Sequence, residues 1–179
     1  MVLGMKKRIF VAIKISPELQ EAILEWEKNY NRLPVRWVGG KNLHATLVPP
    51  WEEEDAERAK KVLEALKSKV GRFEIEFNKV EYGPHGQEPR LIWAEGRPPK
   101  VLVDLKERLE QLLGHRSDFR PWLMHLTLAR FQPRDFSRFP VKQLNEEVFW
   151  RQEVGSFVLM ESRLLPGGSD YEVLGEVEL

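Results

Sequence analysis

Two segments, Leu43-His44-Ala45-Thr46-Leu47 and Met124-His125-Leu126-Thr127-Leu128, repeat one pattern in which a histidine and a threonine alternate with apolar residues. Successive side chains of a β-strand point to opposite faces, so a histidine and a threonine two positions apart share one face. Their apolar neighbours then enter the core behind them. The pattern therefore predicts two strands, each of which presents an imidazole beside a hydroxyl.

The pairing of histidine with threonine is specific. The chain contains only two threonines, Thr46 and Thr127, and each follows one of the four histidines by two positions. The two motifs are separated by close to half of the 179 residues, and each has helix-forming sequence nearby. This spacing suggests a duplicated α+β lobe, although no repeat is visible beyond the motifs themselves.

Hydrophobic periodicity predicts further strands and helices around the motifs. We expect strands at residues 8–15, 35–38, 43–48, 73–77, 91–94, 122–130, 157–164 and 171–177, and helices at residues 17–30, 51–70, 101–113 and, in a short form, 141–147. Ser16-Pro17-Glu18 supplies an N-cap, a first-turn proline and an early acid, and Gly114 is a typical residue after a helix end. At 42% hydrophobic residues, the chain is long enough to form one domain with a real core.

Composition limits the classes of protein that the chain could represent. The chain has no cysteine, which excludes disulfides, thiolate zinc sites and a cysteine nucleophile, and which fits a cytoplasmic protein. No apolar run approaches the roughly 18 residues that span a bilayer, and the run at residues 9–13 is too short for a signal peptide. We therefore expect a cytoplasmic protein with no membrane association.

Charge is balanced overall, with 28 basic and 28 acidic residues, so the molecule has no net field that would attract nucleic acid. Residues 114–142 nevertheless carry a local excess of positive charge. The basic residues there are Arg116, Arg120, Arg130, Arg134, Arg138 and Lys142, and the acidic residues are Asp118 and Asp135. The excess either favours an anionic substrate or belongs to a solvated surface with acidic partners elsewhere.

Two imidazoles and two hydroxyls suit the cleavage of a phosphodiester. Histidine is available in either protonation state near neutral pH, so one can act as a base and the other as an acid in the same turnover. Threonine hydroxyls can donate to the non-bridging oxygens that carry negative charge during displacement. In-line attack needs catalytic groups on opposite sides of phosphorus, which two strands facing each other across a cleft would provide.

Other chemistries lack their signatures. Neither motif has the H-E-x-x-H or H-x-H spacing of a zinc site, and the chain has no G-x-S-x-G elbow, P-loop or Gly-x-Gly nucleotide fingerprint. Catalysis without a metal, ATP or another cofactor is the simplest remaining interpretation.

The chain resembles the LigT-like RNA 2′,3′-cyclic phosphodiesterases, also called 2′-5′ RNA ligases, within the two-histidine phosphoesterase superfamily. Besides the two motifs, the resemblance includes Arg8-Ile9-Phe10-Val11-Ala12-Ile13, Arg36-Trp37-Val38 with Asn42-Leu43, Pro89-Arg90-Leu91-Ile92-Trp93, and Glu161-Ser162-Arg163-Leu164 with Pro166-Gly167-Gly168. It implies an α+β fold of two pseudo-symmetric lobes, each an antiparallel sheet with helices packed outside, and an active site in the central cleft.

The resemblance also implies roles for the motif residues. His44 would be the general acid that protonates the departing ribose O3′, and His125 the general base that activates water and leaves a 2′-phosphomonoester. Thr46 and Thr127 would hold the phosphoryl oxygens. Arg130, where relatives commonly carry a basic residue, becomes the first candidate for a further contact with phosphate or RNA.

The sequence departs from the family pattern after the first motif, where it runs Val48-Pro49-Pro50-Trp51 in place of a more extended Phe-Leu-Gly-type segment. Trp51 and Phe131 follow the motif strands closely, so we predict that they stack on bases. His85 and His115 lack a threonine partner and are expected to be surface or capping residues, although the loop of His85 would bring it to RNA if it borders the cleft.

The expected partner is RNA with 2′,3′-cyclic phosphate ends, such as tRNA fragments, and the expected product is the 2′-phosphate, with reverse 2′-5′ ligation as a related activity. We expect a monomer that uses no metal. Two alternatives stay open at this point. One is a non-catalytic RNA-binding protein, and the other is a phosphodiesterase of small nucleotides such as ADP-ribose cyclic phosphate or 2′-5′ oligoadenylate.

Overall fold

The computed structural model describes residues 6–116 and 122–179, and these form nine β-strands and three α-helices. The strands are β1 (Lys7–Lys14), β2 (Arg36–Trp37), β3 (His44–Glu53), β4 (Phe73–Gly83), β5 (Leu91–Gly96), β6 (Met124–Arg130), β7 (Asn145–Val154), β8 (Ser156–Leu165) and β9 (Gly168–Glu178). The helices are α1 (Pro17–Glu27), α2 (Ala56–Glu64) and α3 (Lys100–Leu113). Within these described residues, no helix is long and apolar enough to cross a bilayer.

All nine strands join one antiparallel sheet, which confirms the predicted α+β class. The strand order is β7-β4-β5-β6-β3-β1-β8-β9, and the short β2 pairs with β6. The two motif strands, β3 and β6, are therefore neighbours at the centre of the sheet. Each half repeats one arrangement, because β1 leads through α1 to β3 and β5 leads through α3 to β6, and each motif strand pairs with the strand that precedes the helix of its half.

The helices cross between the halves. Helix α1, which follows β1, packs against β7 at the far edge of the other half, where the rings of Trp26 and Trp150 meet edge to face at 5.8 Å. Helix α3, which follows β5 in the second half, packs in turn against β3 of the first half. Gln152 of β7 ties the start of α1 further, because its side chain accepts from Ser16 N and donates to Lys14 O, each at 2.9 Å. One continuous apolar core therefore lies between the helices and the sheet.

A second, smaller apolar cluster lies apart from this core. It consists of Phe10, Ala12, Val158 and Met160, with Tyr171 packed against it. Since Ala12 is the cross-strand partner of Thr46, this cluster shares a face with the motif side chains. The sheet therefore has a helix-covered face that holds the main core and an opposite face that carries the motifs.

Local signals at the helix ends behave as the sequence predicted. Ser16 Oγ accepts from Leu19 N at 3.3 Å, and Pro17 is the first helical residue of α1. Gly114 ends α3 with φ of 74°, a left-handed conformation that glycine adopts without steric cost.

Helix α2 begins later and ends earlier than the helix predicted for residues 51–70, so the prediction was wrong for its first turn and for residues 65–70. Strand β3 continues through Trp51, which pairs with Ile9, to Glu53. Helix α2 starts only after Asp55, whose Oδ1 accepts from Arg58 N at 3.0 Å as an N-cap. Exposed and buried residues alternate from Pro50 to Glu53, so pairing with β1 outweighs the acidic run that favours a helix start.

The short helix predicted near residues 141–147 is also wrong, because this segment leads into β7. The missed signal is the period of two in β7, where Val148, Trp150, Gln152 and Val154 are buried between more exposed residues. Two hydrogen bonds hold the Glu146 carboxylate in place. It accepts one from Trp26 Nε1 of α1 at 2.7 Å and one from the hydroxyl of Tyr30 in the turn after α1.

Glu27, at the end of α1, makes the stability of the protein depend on pH. Its Oε1 is buried without a hydrogen bond among the described residues, and burial raises the pKa of its carboxyl to about 7. The folded pKa lies above the unfolded one, so this group lowers the free energy of unfolding as pH rises from the unfolded pKa through 7. We expect Glu27→Gln to raise the free energy of unfolding by about 1 kcal/mol at pH 8, after allowance for screening, and to have little effect near pH 4.

Urea denaturation at both pH values measures this difference. Glu21→Gln, at an exposed position of the same helix, is the matched control. Its effect on the free energy of unfolding should not depend on pH in the same way. Equal effects of Glu27→Gln at pH 4 and pH 8 would contradict the explanation.

Candidate active site

The motif strands meet at one register. Ala45 of β3 is the cross-strand partner of Leu126 of β6, and both side chains enter the main core. In an antiparallel pair the positions on either side match as well, which sets His44 opposite Thr127 and Thr46 opposite His125. The four polar side chains therefore form a quartet on the face opposite the helices. The motif strands are paired neighbours in one sheet, rather than strands that face each other across a cleft.

The ring of His44 is held by its own strand and by two aromatic neighbours. Its Nδ1 lies 2.7 Å from Asn42 O, a carbonyl that can only accept, so Nδ1 carries the proton and Nε2 is left for proton transfer. The Phe10 and Tyr171 rings each lie 4.9 Å from the imidazole, measured between centroids.

His125 repeats this arrangement in the other half. Its Nδ1 lies 3.1 Å from Leu123 O, also two residues earlier, so Nε2 is again the nitrogen left for proton transfer. The Trp93 ring packs on the imidazole at 4.8 Å between centroids. Trp93 in turn lies against Gly83, where an added Cβ would approach the indole to 2.5 Å. Glycine at that position therefore lets the indole lie close to the backbone of β4.

Both imidazoles favour the neutral state. Burial is the main cause that lowers the pKa of His44 to about 4; the hydrogen bond to Asn42 opposes it, and the charges of Arg130 and His125 add to it. Burial also lowers the pKa of His125, and Arg130 adds to the effect. A bound phosphate, which is an anion, would favour the protonated form of each ring and raise both pKa values.

Thr46 and Thr127 occupy the other two corners of the quartet and are partly exposed. Neither hydroxyl makes a hydrogen bond to any residue that the structure describes, so both can donate to a ligand.

Arg130 ends β6 on an exposed position. Its charge adds to the effect of burial in lowering the pKa values of both histidines. Its cross-strand partners are Arg36 of β2 and Leu91 of β5. Arg130 therefore lies at the border of the site, and its predicted contact with phosphate or RNA stays a prediction.

Phe131 follows Arg130 and is partly buried. Its amide donates to Arg90 O at 3.0 Å, and its ring packs on Phe139 at 4.7 Å between centroids. Together with Arg90 and Arg130, it lines a surface cavity of about 460 Å³. The structure thus sets Phe131 beside the arginines and not beside the histidines.

Trp51 is not brought to the site, so the prediction that it stacks on bases does not fit its position. It is only 8% exposed, belongs to the main core, and donates from Nε1 to Glu53 Oε2 at 3.1 Å. Its ring stacks on His115 at 4.7 Å. Strand alternation accounts for this position, because Trp51 follows Ala45 and Leu47 by an even number of residues and lies on their core-facing side after two irregularities in the pairing of β1 with β3.

Sequence reasoning missed a polar group beside His125. Glu95, the cross-strand partner of His125, and Glu81 of β4 both approach His85 Nε2, at 3.0 and 2.9 Å. The oxygen and nitrogen atoms of this trio lie within 4.8 Å of one another, so the trio could hold a metal ion. Lys79 Nζ, however, already lies 2.7 Å from Glu81 Oε2. No pattern in the sequence signals the group, because its members come from two strands and a loop.

The basic stretch at residues 114–142 divides in the fold. Arg130 borders the site, whereas Arg138 approaches Asp135 at 3.9 Å and Lys142 donates to backbone carbonyls. Arg120 and Asp118 lie outside the described residues.

Comparison with known proteins points to a single family. The model of the 2′-5′ RNA ligase superfamily matches residues 15–164. A Methanocaldococcus jannaschii protein named RNA 2′,3′-cyclic phosphodiesterase is 27% identical over 174 residues, covering 94% of this chain and 99% of the relative. An Archaeoglobus fulgidus protein of the same name is 29% identical over 174 residues, covering 93% and 97%.

Solved structures share the fold over nearly the whole chain. A Thermus thermophilus protein aligns with a TM-score of 0.78 at 22% identity, covering 96% of this chain and 97% of its own. Escherichia coli LigT in complex with 3′-AMP aligns with a TM-score of 0.75 at 26% identity, covering 98% and 99%. These likenesses agree with the antiparallel α+β architecture described above.

The electrostatics of the quartet predict the titration of the free protein. Nitrogen-detected NMR should show His44 titrating near pH 4 and His125 below 6.5. Adding inorganic phosphate should move both pKa values upward. Arg130→Gln should also raise both in the absence of phosphate, because it removes a positive charge that lowers them. If both histidines titrated near pH 6.5, and neither phosphate nor Arg130→Gln shifted their pKa values, this explanation would be wrong.

Proposed function

The chain belongs to the 2′-5′ RNA ligase superfamily, and on that premise we propose that it hydrolyses RNA 2′,3′-cyclic phosphate ends to 2′-phosphomonoesters. The observation that carries the proposal is the quartet of His44, Thr46, His125 and Thr127, fixed by the pairing of Ala45 with Leu126. The names of the two archaeal relatives support the same activity.

The quartet sets the two imidazoles on one diagonal and the two hydroxyls on the other. Diagonal neighbours across an antiparallel pair are about 7–8 Å apart at Cα, which leaves room for one phosphate between them. Acid and base can then act on opposite sides of phosphorus, as in-line displacement requires. The threonines can donate to its non-bridging oxygens from the remaining two sides.

In the proposed reaction His125 Nε2 takes a proton from water, and the water oxygen forms a bond to phosphorus. The bond from phosphorus to ribose O3′ breaks, and His44 Nε2 delivers a proton to O3′. The phosphate stays on O2′. The reaction leaves His125 protonated and His44 neutral, so proton exchange with solvent restores the starting state.

The reaction uses no metal, since both proton transfers and the stabilisation of charge are assigned to side chains. The same groups would join RNA ends if a 5′-hydroxyl replaced water: its oxygen would form the bond to phosphorus, the bond to O3′ would break, and O3′ would take the proton from His44, which leaves a 2′-5′ linkage. We further propose that the protein acts as a cytoplasmic monomer on RNA fragments with cyclic ends, such as those of tRNA.

Removing either histidine tests the assignment. An oligonucleotide that ends in a cyclic phosphate is incubated with EDTA, and the 2′-phosphate is quantified. His44→Ala and His125→Ala should each lower kcat by about 10²–10⁴-fold, because each removes one proton transfer. His115→Gln, on the opposite face beside Trp51, is the matched control and should keep its activity.

Full activity in either variant would exclude the mechanism, and loss of wild-type activity in EDTA would exclude its independence of metal. RNA binding without any turnover would favour a non-catalytic RNA-binding protein. Turnover confined to small nucleotides would favour the second alternative considered from the sequence.

The pKa values predict the pH dependence. One histidine must be protonated and the other neutral, so kcat/KM should follow a bell whose limbs are the pKa values of the free protein. Since both pKa values are lowered, the maximum should lie below pH 6.5, and activity should fall about tenfold per unit on the alkaline side. Initial rates between pH 4 and 9 measure this, and a kcat/KM that rises from pH 6.5 to 8 would contradict it.

A further inference from the structure

Two arginines face each other next to the quartet. Arg36 of β2 and Arg130 of β6 are cross-strand partners, and Arg90 immediately precedes Leu91, the partner of Arg130 on its other side. Cross-strand side chains lie about 5 Å apart at Cβ, and like charges in that relation destabilise a sheet. An arrangement that costs stability at this position suggests a ligand of opposite charge.

Arg36, Arg90 and Arg130 lack the carboxylate partners that many other basic residues of the molecule have. Across residues 6–116 and 122–179, basic side chains repeatedly pair with acids, as in Arg58 with Glu53 at 3.2 Å and Arg72 with Glu153 at 2.9 Å. Within the same residues, no carboxylate lies within 4 Å of the guanidinium groups of Arg36, Arg90 and Arg130. Three positive charges therefore stay without an acidic partner in the part of the chain that the structure describes.

The arginines line two surface cavities that share Arg36 and Arg130. The first, of about 250 Å³, is also lined by Asn42 and Tyr171, both of which contact His44. The second is the cavity of about 460 Å³ that also contains Arg90. A path therefore leads from the histidine of the first motif to the group of three arginines.

The second cavity contains one acidic residue, Asp135. Its carboxylate approaches Arg138 at 3.9 Å and is not within 4 Å of the three arginines. The arginines therefore dominate the charge of the shared region.

Arg36 is held in place before any ligand arrives. Its Nη1 donates to Gly167 O at 3.0 Å in the turn between β8 and β9. Gly168 has φ of 122°, and an added Cβ there would come within 2.6 Å of the same Nη1. The turn therefore uses a glycine to make room for the guanidinium group and a carbonyl to orient it.

We propose that Arg36, Arg90 and Arg130 form a second phosphate subsite, which binds the 5′-phosphate of the terminal nucleotide while the quartet binds its cyclic phosphate. Guanidinium groups bind phosphate oxygens through paired hydrogen bonds, which suits this ligand. Arg130 lies three residues beyond Thr127, roughly 10 Å along the strand, a distance that one nucleotide can span. This inference rests on the proposed function and gives it a substrate class, RNA ends in preference to free nucleoside cyclic phosphates.

The test compares uridine 2′,3′-cyclic phosphate with the same molecule bearing a 5′-phosphate. The wild-type protein should favour the 5′-phosphorylated substrate by about 10-fold or more in kcat/KM, the size of a hydrogen-bonded charge contact. Arg36→Gln and Arg90→Gln should each reduce this ratio several-fold. Arg32→Gln, at an exposed arginine before the site, is the matched control and should keep the ratio.

The outcomes separate the two proposals. Hydrolysis of both substrates without preference would overturn the subsite and leave the proposed function intact. If neither is hydrolysed, the proposed function fails, and calorimetry with uridine 2′,5′-bisphosphate against uridine 2′-phosphate still decides the subsite. Tighter binding of the bisphosphate that Arg90→Gln abolishes would support it, and equal binding would overturn it. Circular dichroism confirms that each variant is folded.

Discussion

The pairing of Ala45 with Leu126 is the contact on which the site depends. It is the register at which the two halves of the sheet meet, and it sends two apolar side chains into the core while the histidines and threonines emerge on the other side. A slip of one residue would turn every side chain of one strand over, burying an imidazole and a hydroxyl and exposing leucines. The hydrophobic pattern of the two strands therefore specifies the geometry of the polar groups, because the core tolerates only one register.

The electrostatic character of the site follows from the face on which it lies. The opposite face is covered by helices and filled with apolar side chains, and the aromatic rings of Phe10, Trp93 and Tyr171 crowd the histidines on their own face. This crowding disfavours imidazolium, and Arg130 disfavours it further. One bound anion would offset both effects. We therefore expect phosphate to raise the pKa values of both histidines, although the overall charge of the protein is zero.

Much of this arrangement could be read from the sequence, because it depends on local periodicity. Alternation around His44 and His125 predicts their strands, and Ser16, Pro17 and Gly114 predict helix ends. What could not be predicted depends on pairing between distant segments. Pairing with β1 extends β3 beyond Val48 and so places Trp51 in the core, and the trio of Glu81, His85 and Glu95 assembles from separate segments. The period of two in β7 was not recognised from the sequence. A hydrogen bond from Trp26 of α1 to Glu146 helps to hold this segment as a strand.

The exchange of helices between the halves makes each half depend on the other for a covered core. Trp26 of the first half packs on Trp150 of the second, and α3 covers the strand of the first motif. If the halves were separated, each would expose apolar surface that a helix of the other half now covers, so neither half is expected to fold without the other.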